Sequence, residues 1–465
     1  MKITVQLRIE AEDAGSPVIV EVATLQRTEL TPETLGLTLA EAKRLLAQTQ
    51  EALVTHQVAA YVDQQRWCPH CGARQHSKGQ HTLVLHTLFG KLTLPSPRLA
   101  TCPCHATERR SFSLLATLLP ERVTPELRYL QAKWASLVSY GVTVDLLEEV
   151  LPIHVSQTSL IRQVQQVAER LEGELGDEQA FFIEGCQRDW DRLPLPDDPL
   201  TVGIDGGYVH ARDGDNRKAG WFEVIVGKSI PTDGAAKCFG LVTSYDTKPR
   251  RRLFETLHSQ GLRMNQTVTF LSDGGDNVRD LQLYLSPQAE HLLDWFHVTM
   301  RLTILQQLRK ELGTAAATLP LDEITADLDR IKWCLWHGNV FRTLQLLTDV
   351  HEELDAWSEE APAATKLAKA VGEFHGYIAA NKAFIPNYGD RYRHGERIAT
   401  GFVESTVREV VSKRMVKQQQ MRWTKRGAHL LLQVRTEVLN DDLRTTFEHW
   451  YPGMASVDVL QEAAA

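Results

Sequence analysis

The chain has 465 residues, more than a single hydrophobic core usually serves, and 43% of them are apolar, enough to fill several domains. A formal charge of -8 excludes a global positive field as the means of holding nucleic acid, so any such contact has to be local. No stretch approaches the roughly 18 uninterrupted apolar residues of a membrane span. Residues 1–9 alternate like a strand and lack the apolar centre of a secretion signal. The expectation is a cytoplasmic protein with no membrane partner, whose seven cysteines are not disulfide-bonded.

Residues 1–65 read as a strand-containing start followed by a helix over 38–65, with Ala42, Leu45, Leu46, Leu53 and Val54 at roughly helical spacing. Its expected role is packing or dimerisation. In the next region, 66–110, Cys68-Pro69-His70-Cys71 precedes Cys102-Pro103-Cys104-His105 by thirty residues. Between the pairs, 82–88 and 92–95 flank Phe89-Gly90-Lys91 and read as a hairpin. Two cysteine knuckles joined by a hairpin predict a zinc ribbon with Cys68, Cys71, Cys102 and Cys104 as ligands. Four thiolates close a tetrahedral site and leave no open position for chemistry. The CxC half is less usual than CxxC, so His105 or His70 remains an alternative ligand. Arg66, Arg74, Lys78, Lys91 and Arg98 around the knuckles read either as a solvated face or as a nucleic-acid contact.

Residues 120–185 read as helical. One helix is expected over 124–141 behind Thr124-Pro125-Glu126, a short second one begins at Thr143, and a third begins at Ser156 with Leu160, Val164, Val167 and Leu171 on one face. Short helix, turn, longer helix is a helix-turn-helix outline, which any helical hairpin also gives. On the third helix Gln157, Thr158, Ser159, Arg162, Gln163, Gln165 and Gln166 are side chains able to meet bases or phosphates, and Gln157 and Arg162 are the leading DNA-contact candidates. Prolines 194, 196 and 199, set among Asp191, Asp197 and Asp198, predict a stiff domain boundary.

Past that boundary, Val202 to Ile204 reads as a buried strand that delivers Asp205 into a glycine turn at Gly206-Gly207, where the glycines would let metal and phosphate come close. Further strands are expected over 220–227 and 238–245, a helix over 251–260, a fourth strand over 268–271 ending at Asp273, a helix over 278–285 and a fifth strand over 290–294. Three strands, helix, strand, helix, strand is the order of a ribonuclease-H-like α/β core, here 200–298. In it strands one and four are neighbours, so Asp205 and Asp273 converge. Carboxylates held close repel, and a divalent cation relieves that repulsion while acting as a Lewis acid. Glu404, on the first turn of a helix within 396–465, supplies a third carboxylate; taken alone it is an ordinary helix-start glutamate. Residues 299–395 are mostly helical and too long for a loop, so they form an inserted subdomain. At its start Asp294 and His297 are either a helix cap and a core histidine or groups acting beside the scissile phosphate. After Glu404, residues 405–435 carry eight cations against the single acid Glu409, a local charge of +7, and Lys413, Arg414, Lys417, Arg422, Trp423, Lys425 and Arg426 are expected to hold DNA. Lys248-Pro249-Arg250-Arg251-Arg252 is a second, less specific basic cluster.

The runs Gly203-Ile204-Asp205-Gly206-Gly207-Tyr208, Ser272-Asp273-Gly274-Gly275, Asp294-Trp295-Phe296-His297 and Val403-Glu404-Ser405-Thr406-Val407, with the tail from Val411 to Leu430, resemble bacterial insertion-sequence transposases of the ISKra type, distantly Mutator-like. With the cysteine module included, the resemblance spans nearly the whole chain. It implies DDE chemistry with Asp205, Asp273 and Glu404 as the acids, binding catalytic Mg²⁺ or Mn²⁺ beside a structural Zn²⁺, and with Asp294 and His297 in support. It further implies double-stranded DNA as partner, both element terminal repeats and target, a homodimer on paired ends, and residence at the bacterial nucleoid. The rival readings are a DNA-binding regulator and a metal-dependent nuclease that does not join strands.

Overall fold

The structure is a computed structural model, described for residues 1–10, 17–104, 111–195, 199–212, 220–275, 281, 289–312, 321–357, 362–416 and 422–454. His105, Lys417, Pro196, Asp197, Asp198 and all but one residue of the helix expected over 278–285 lie outside these. The chain is a mixed α and β protein with three sheets, and it divides into two compact units, Met1–Val167 with Asp441–Ala465, and Ala168–Asn440. The division falls within a helix, Gln157–Glu174, and not at the proline-rich stretch. No described helix is long and apolar enough to cross a membrane.

In the first unit, β1 (Lys2–Ile9) and β2 (Val18–Gln26) pair antiparallel. Helix α1 (Leu39–Gln65) starts at a capping box in which Thr38 and Glu41 satisfy each other's backbone amides. The expected hairpin is longer than its apolar alternation suggests: β3 (Ser77–Thr87) and β4 (Gly90–Ala100) turn through Leu88 and Phe89, and β5 (Ser111–Ser113) adds a third strand. Leu83, Leu85, Leu92, Leu94 and Leu99 from these strands pack with Val54 and Val62 of α1. After the short α2 (Leu114–Leu118), the helix expected to reach residue 141 stops at Leu137, because Val138 turns extended and Ser139 caps a new helix through the Val142 amide. The three helices are therefore α3 (Pro125–Leu137), α4 (Tyr140–Val150) and α5 (Gln157–Glu174). Leu160, Val164 and Val167 of α5 are buried, while Gln157, Thr158, Ser159, Arg162 and Gln166 are exposed.

The second unit begins with the end of α5 and the short α6 (Gln187–Trp190), followed by β6 (Leu200–His210), β7 (Trp221–Ile230), β8 (Lys237–Val242), α7 (Pro249–His258), β9 (Val268–Ser272) and β10 (Ala289–Leu293). The sheet order is β10-β9-β6-β7-β8, with β7 antiparallel to both β6 and β8, and β9 and β10 running parallel to β6. The parallel placement of β9 follows from the α7 crossover, since parallel neighbours need such a connection. Leu200, Val202 and Ile204 of β6 share a core with Leu253 and Leu257 of α7. Four longer helices follow, α8 (Trp295–Leu312), α9 (Leu321–Trp336), α10 (Val340–Ala356) and α11 (Pro362–Ala380), packed around Leu302, Leu328, Leu347 and Val371. Helix α12 (Tyr388–Arg393) leads back to α13 (Gly401–Val407), a π-helical stretch (Arg408–Val416) and α14 (Lys425–Leu439). The last helix, α15 (Leu443–Trp450), belongs to the first unit, where Arg444 pairs with Glu126 at 3.0 Å.

Candidate functional site

Alternation along β6 decides what meets Asp205. Even positions Val202 and Ile204 enter the core beneath α7, so Gly203, Asp205 and Gly207 share the opposite face. Helix α13 lies on that face: a Cβ built on Gly203 would stand 2.1 Å from Val403 and 2.8 Å from Phe402, and one on Gly207 would stand 3.2 Å from Val407. The glycines thus admit a helix, and Glu404, between Val403 and Val407, comes to the strand beside Asp205. Two expectations change here. Asp205 sits in mid-strand, paired with Val226, and not at the strand's end, while Gly207 makes room for a helix and Gly206 meets only Glu223, at 3.6 Å. The glycine pair looks like a turn in sequence because close packing and turning favour the same residue. Gly203→Ala is expected to cost about 1–3 kcal/mol, the usual penalty of an overpacked interface, because the new methyl group would meet Val403 and Phe402; a thermal melt checks it.

Asp273 arrives by register. Gly203 pairs with Leu271 in the parallel ladder, and two residues further along each strand come Asp205 and Asp273, on the same face. Gly274 turns the chain at φ +85°, and the space its Cβ would fill is taken by Asn381 Oδ1 at 2.4 Å. The Tyr377 hydroxyl donates to the Asp273 carbonyl at 2.9 Å, and Tyr388 donates to that of Leu293 at 2.8 Å. The inserted helices therefore hold the strand ends that carry the acids.

Asp294 is fully buried and joins two elements. Its Oδ1 accepts the Phe296 amide, as a cap of α8, and the Thr400 amide, both at 2.9 Å. Its Oδ2 accepts His297 Nδ1 at 2.6 Å and the Thr400 hydroxyl. Thr400 immediately precedes α13, so Asp294 fixes both the imidazole and the start of the helix bearing Glu404. The helix cap, one of the alternatives in sequence, is present, and the same carboxylate also bonds His297 and Thr400.

These groups feel one another's charge. Burial raises the Asp205 carboxyl above its ordinary range, and Asp273 and Asp294 add to the rise against the opposing Gly206 amide and His297. Burial and then Asp205 raise Glu404. Burial lowers His297, but the hydrogen bond and charge of Asp294, then Asp205 and Asp273, outweigh it, and the imidazole is raised above 6.5. A histidine raised in the folded state stabilises fully below its unfolded pKa and loses that contribution as pH climbs through the folded value. The wild-type melting temperature, measured without added divalent ion, should therefore fall across that window by more than that of His297→Gln.

The oxygens of Asp205, Asp273 and Glu404 are not all within 4.8 Å of one another. Asp205 is electrostatically coupled to both of the others.

The basic residues divide. Arg414 is fully buried with its guanidinium 5.3 Å from the Trp423 ring, and Trp423, 5% exposed, bonds the end of β6 through His210 and Arg212. Both belong to the interior, which corrects their assignment to a DNA surface; a run of cations does not reveal that one of them lies beneath an indole. Arg435 is likewise buried, donating to the Val410 carbonyl at 2.8 Å. Arg422, Lys425 and Arg426 are exposed, with Arg426 paired to Glu169, and Lys413 is exposed and paired to Glu409. In the second basic cluster, Arg252 is buried between Asp246 at 2.9 Å, Glu172 at 2.9 Å and Gln433 at 2.6 Å, beside His429. Glu172, Asp246 and His429 are close enough together to hold a metal ion. The Arg252 guanidinium is already the cation among them.

The sulfurs of Cys68, Cys71, Cys102 and Cys104 lie within 4.8 Å of one another, at 3.4 Å for Cys68–Cys104 and for Cys71–Cys102. This group could hold a metal ion such as zinc, and His70 is not among its members. The amides of Cys71 and His70 bring the Cys68 thiol down to about 5, while Cys102 and then burial raise that of Cys104, so without a cation the four sulfurs do not share the thiolate form. No protein-family model matches the chain, and no curated protein matches it.

Proposed function

We propose that this chain is a DDE transposase of a bacterial insertion sequence, resembling the ISKra type, that binds element ends and carries out metal-dependent DNA cleavage and strand transfer. The observation that carries the reading is the meeting of Asp205, Asp273 and Glu404, from three distant segments, on one face of a sheet whose strand order is that of ribonuclease-H-like enzymes. The inserted helices and the Asp294–His297 pair support it.

A half-buried set of like-charged carboxylates suits divalent cations, which would relieve their mutual repulsion. Mg²⁺ or Mn²⁺ bound there would supply Lewis-acid stabilisation to the attacking and leaving oxygens of an in-line displacement. Asp205, coupled to both neighbours, would be the ligand common to both positions, with Asp273 on one side and Glu404 on the other. Asp294 would keep Glu404 and the imidazole in place. Water first cleaves a phosphodiester at the element end, and the freed 3′-hydroxyl then attacks a target phosphodiester, displacing its 3′-oxygen.

In this reading the four-cysteine module is a structural zinc ribbon, and α3 to α5 form a helix-turn-helix-like region that reads terminal repeats through Gln157 and Arg162. Arg422, Lys425 and Arg426 hold DNA phosphates next to the acids. Two chains act on paired ends, in the cytoplasm at the nucleoid. Labelled element ends incubated with Mg²⁺ test this: cleaved and joined products are expected, cleavage without joining makes the protein a nuclease, and binding alone makes it a regulator.

A further inference from the structure

Among the described residues two arginines stand beside the acids, each laid against an aromatic ring. Arg301 follows His297 by one turn of α8, the i, i+4 spacing that puts both on one face. Its guanidinium carbon lies 4.1 Å from the centre of the Tyr377 ring, and the Tyr377 hydroxyl is the one that donates to the Asp273 carbonyl. Burial raises that hydroxyl above its ordinary range, Arg301 opposes the rise, and Asp273 and Asp294 add to it. Guanidinium and acids therefore act on the same atom.

Arg397 stands toward Glu404. Its guanidinium carbon lies 5.8 Å from the centre of the Phe402 ring, and Phe402, on the same turn of α13 as Glu404, is a ring that a Cβ on Gly203 would meet. The segment that carries Arg397 is tied to the start of α8, since the Ile398 carbonyl accepts the Trp295 amide at 3.0 Å and the Thr400 amide reaches Asp294. Both arginines are exposed, and among the described residues neither is paired with a carboxylate. Other cations on these segments are taken: Arg391 by Glu290 and Glu396, Arg393 by Asp390, and Lys413 by Glu409. A ring beneath a guanidinium holds the planar fork in place and leaves its donors at the rim, so little freedom is left to lose when an anion binds.

A set of carboxylates repels a DNA strand. Divalent ions answer that repulsion at the scissile phosphate, and the phosphates on either side of it need cations of their own. We propose that Arg301 and Arg397 hold these two flanking phosphates, Arg301 on the Asp273 side and Arg397 on the Glu404 side. Guanidinium suits the task because its fork can meet two phosphate oxygens at once. The inference rests on the reading that the acids cut DNA. It makes the two arginines positioning residues, which set the strand against the acids and take part in no bond-making step.

The test titrates the full chain with a labelled random-sequence DNA duplex, read by anisotropy at several salt concentrations, with Ca²⁺ in place of Mg²⁺ so that binding is measured without relying on cleavage. Arg301→Gln and Arg397→Gln are each expected to weaken binding about ten-fold, the loss of one charge-assisted hydrogen bond. Each should also reduce the steepness of log affinity against log salt by about 0.9, the share of one phosphate contact. Arg301→Lys and Arg397→Lys keep the charge and should keep that steepness. An arginine that only packs on its ring would lower the melting temperature and leave the salt dependence alone. If either glutamine variant binds as wild type does, with the same salt dependence, the proposal is overturned. Wild type given Mg²⁺ separates the two readings: a protein that binds with the expected losses but does not cut sinks the transposase reading and leaves the arginine contacts standing. A wild type that binds no duplex sinks both.

Discussion

On the proposed transposase reading, Asp205→Asn should abolish cleavage and joining of element ends, by a thousand-fold or more, the order lost when one member of a cooperating catalytic set is removed. It should do so without weakening either the fold or DNA binding. The carboxylate is raised by burial and by Asp273 and Asp294, so its charged form is disfavoured in the native state. A carboxylate of this kind subtracts from stability as pH rises through its titration range, and the neutral amide relieves that burden. The Gly206 amide donates to Asp205 Oδ1 at 2.8 Å, and the carboxamide oxygen of the variant keeps that acceptor in place. An unchanged or higher melting temperature with retained DNA affinity and lost cleavage is the expected set. A variant that melts early, or one that still cleaves, would place Asp205 in the structural rather than the reactive part of the protein.

The second large effect concerns the cysteines. Removing metal with a chelator, or making Cys68→Ser, should unfold the knuckles around residues 66–76 and 100–104 while sparing the hairpin. The distinction follows from the packing: Leu83, Leu85, Leu92, Leu94 and Leu99 have a core with α1, whereas the knuckles are joined by the four sulfurs and a few backbone bonds, such as that from the Ala100 amide to the His76 carbonyl at 2.8 Å. Structural zinc contributes on the order of 10 kcal/mol to a site of this type, so the loss should be complete locally. Hydrogen exchange reads it residue by residue, and a released-metal assay should return one zinc per chain. Metal release with unchanged exchange at the knuckles would show that the cluster does not depend on the ion.

Local chemistry was legible in the chain, and long-range packing was not. The CxxC and CxC pairs announce their convergence because few other uses put cysteines at such spacings. The helical character of the insertion was legible as well, since the stretch expected to be mostly helical carries α8 to α11. Asp205 and Asp273 could be put on adjacent strands from element order alone. By contrast, Gly203 and Gly207 gave no sign that a helix from far along the chain would lie against them. Arg414 and Arg252 look like surface cations until Trp423 in one case, and Asp246 and Glu172 in the other, are seen beside them. The break at Val138 was hidden because Ser139 caps without any proline or glycine to mark the stop. Asp294 was ambiguous for a different reason: the oxygens that cap α8 also bond His297 and Thr400, and the Thr400 contact comes from far along the chain.

Crystals of the full chain soaked in Mn²⁺ and measured at the manganese edge test the central claim most directly. The account predicts two anomalous peaks about 4 Å apart, one between Asp205 and Asp273 and one between Asp205 and Glu404, both absent in Asp205→Asn. Well-ordered carboxylates with no peak beside Asp205 would contradict it.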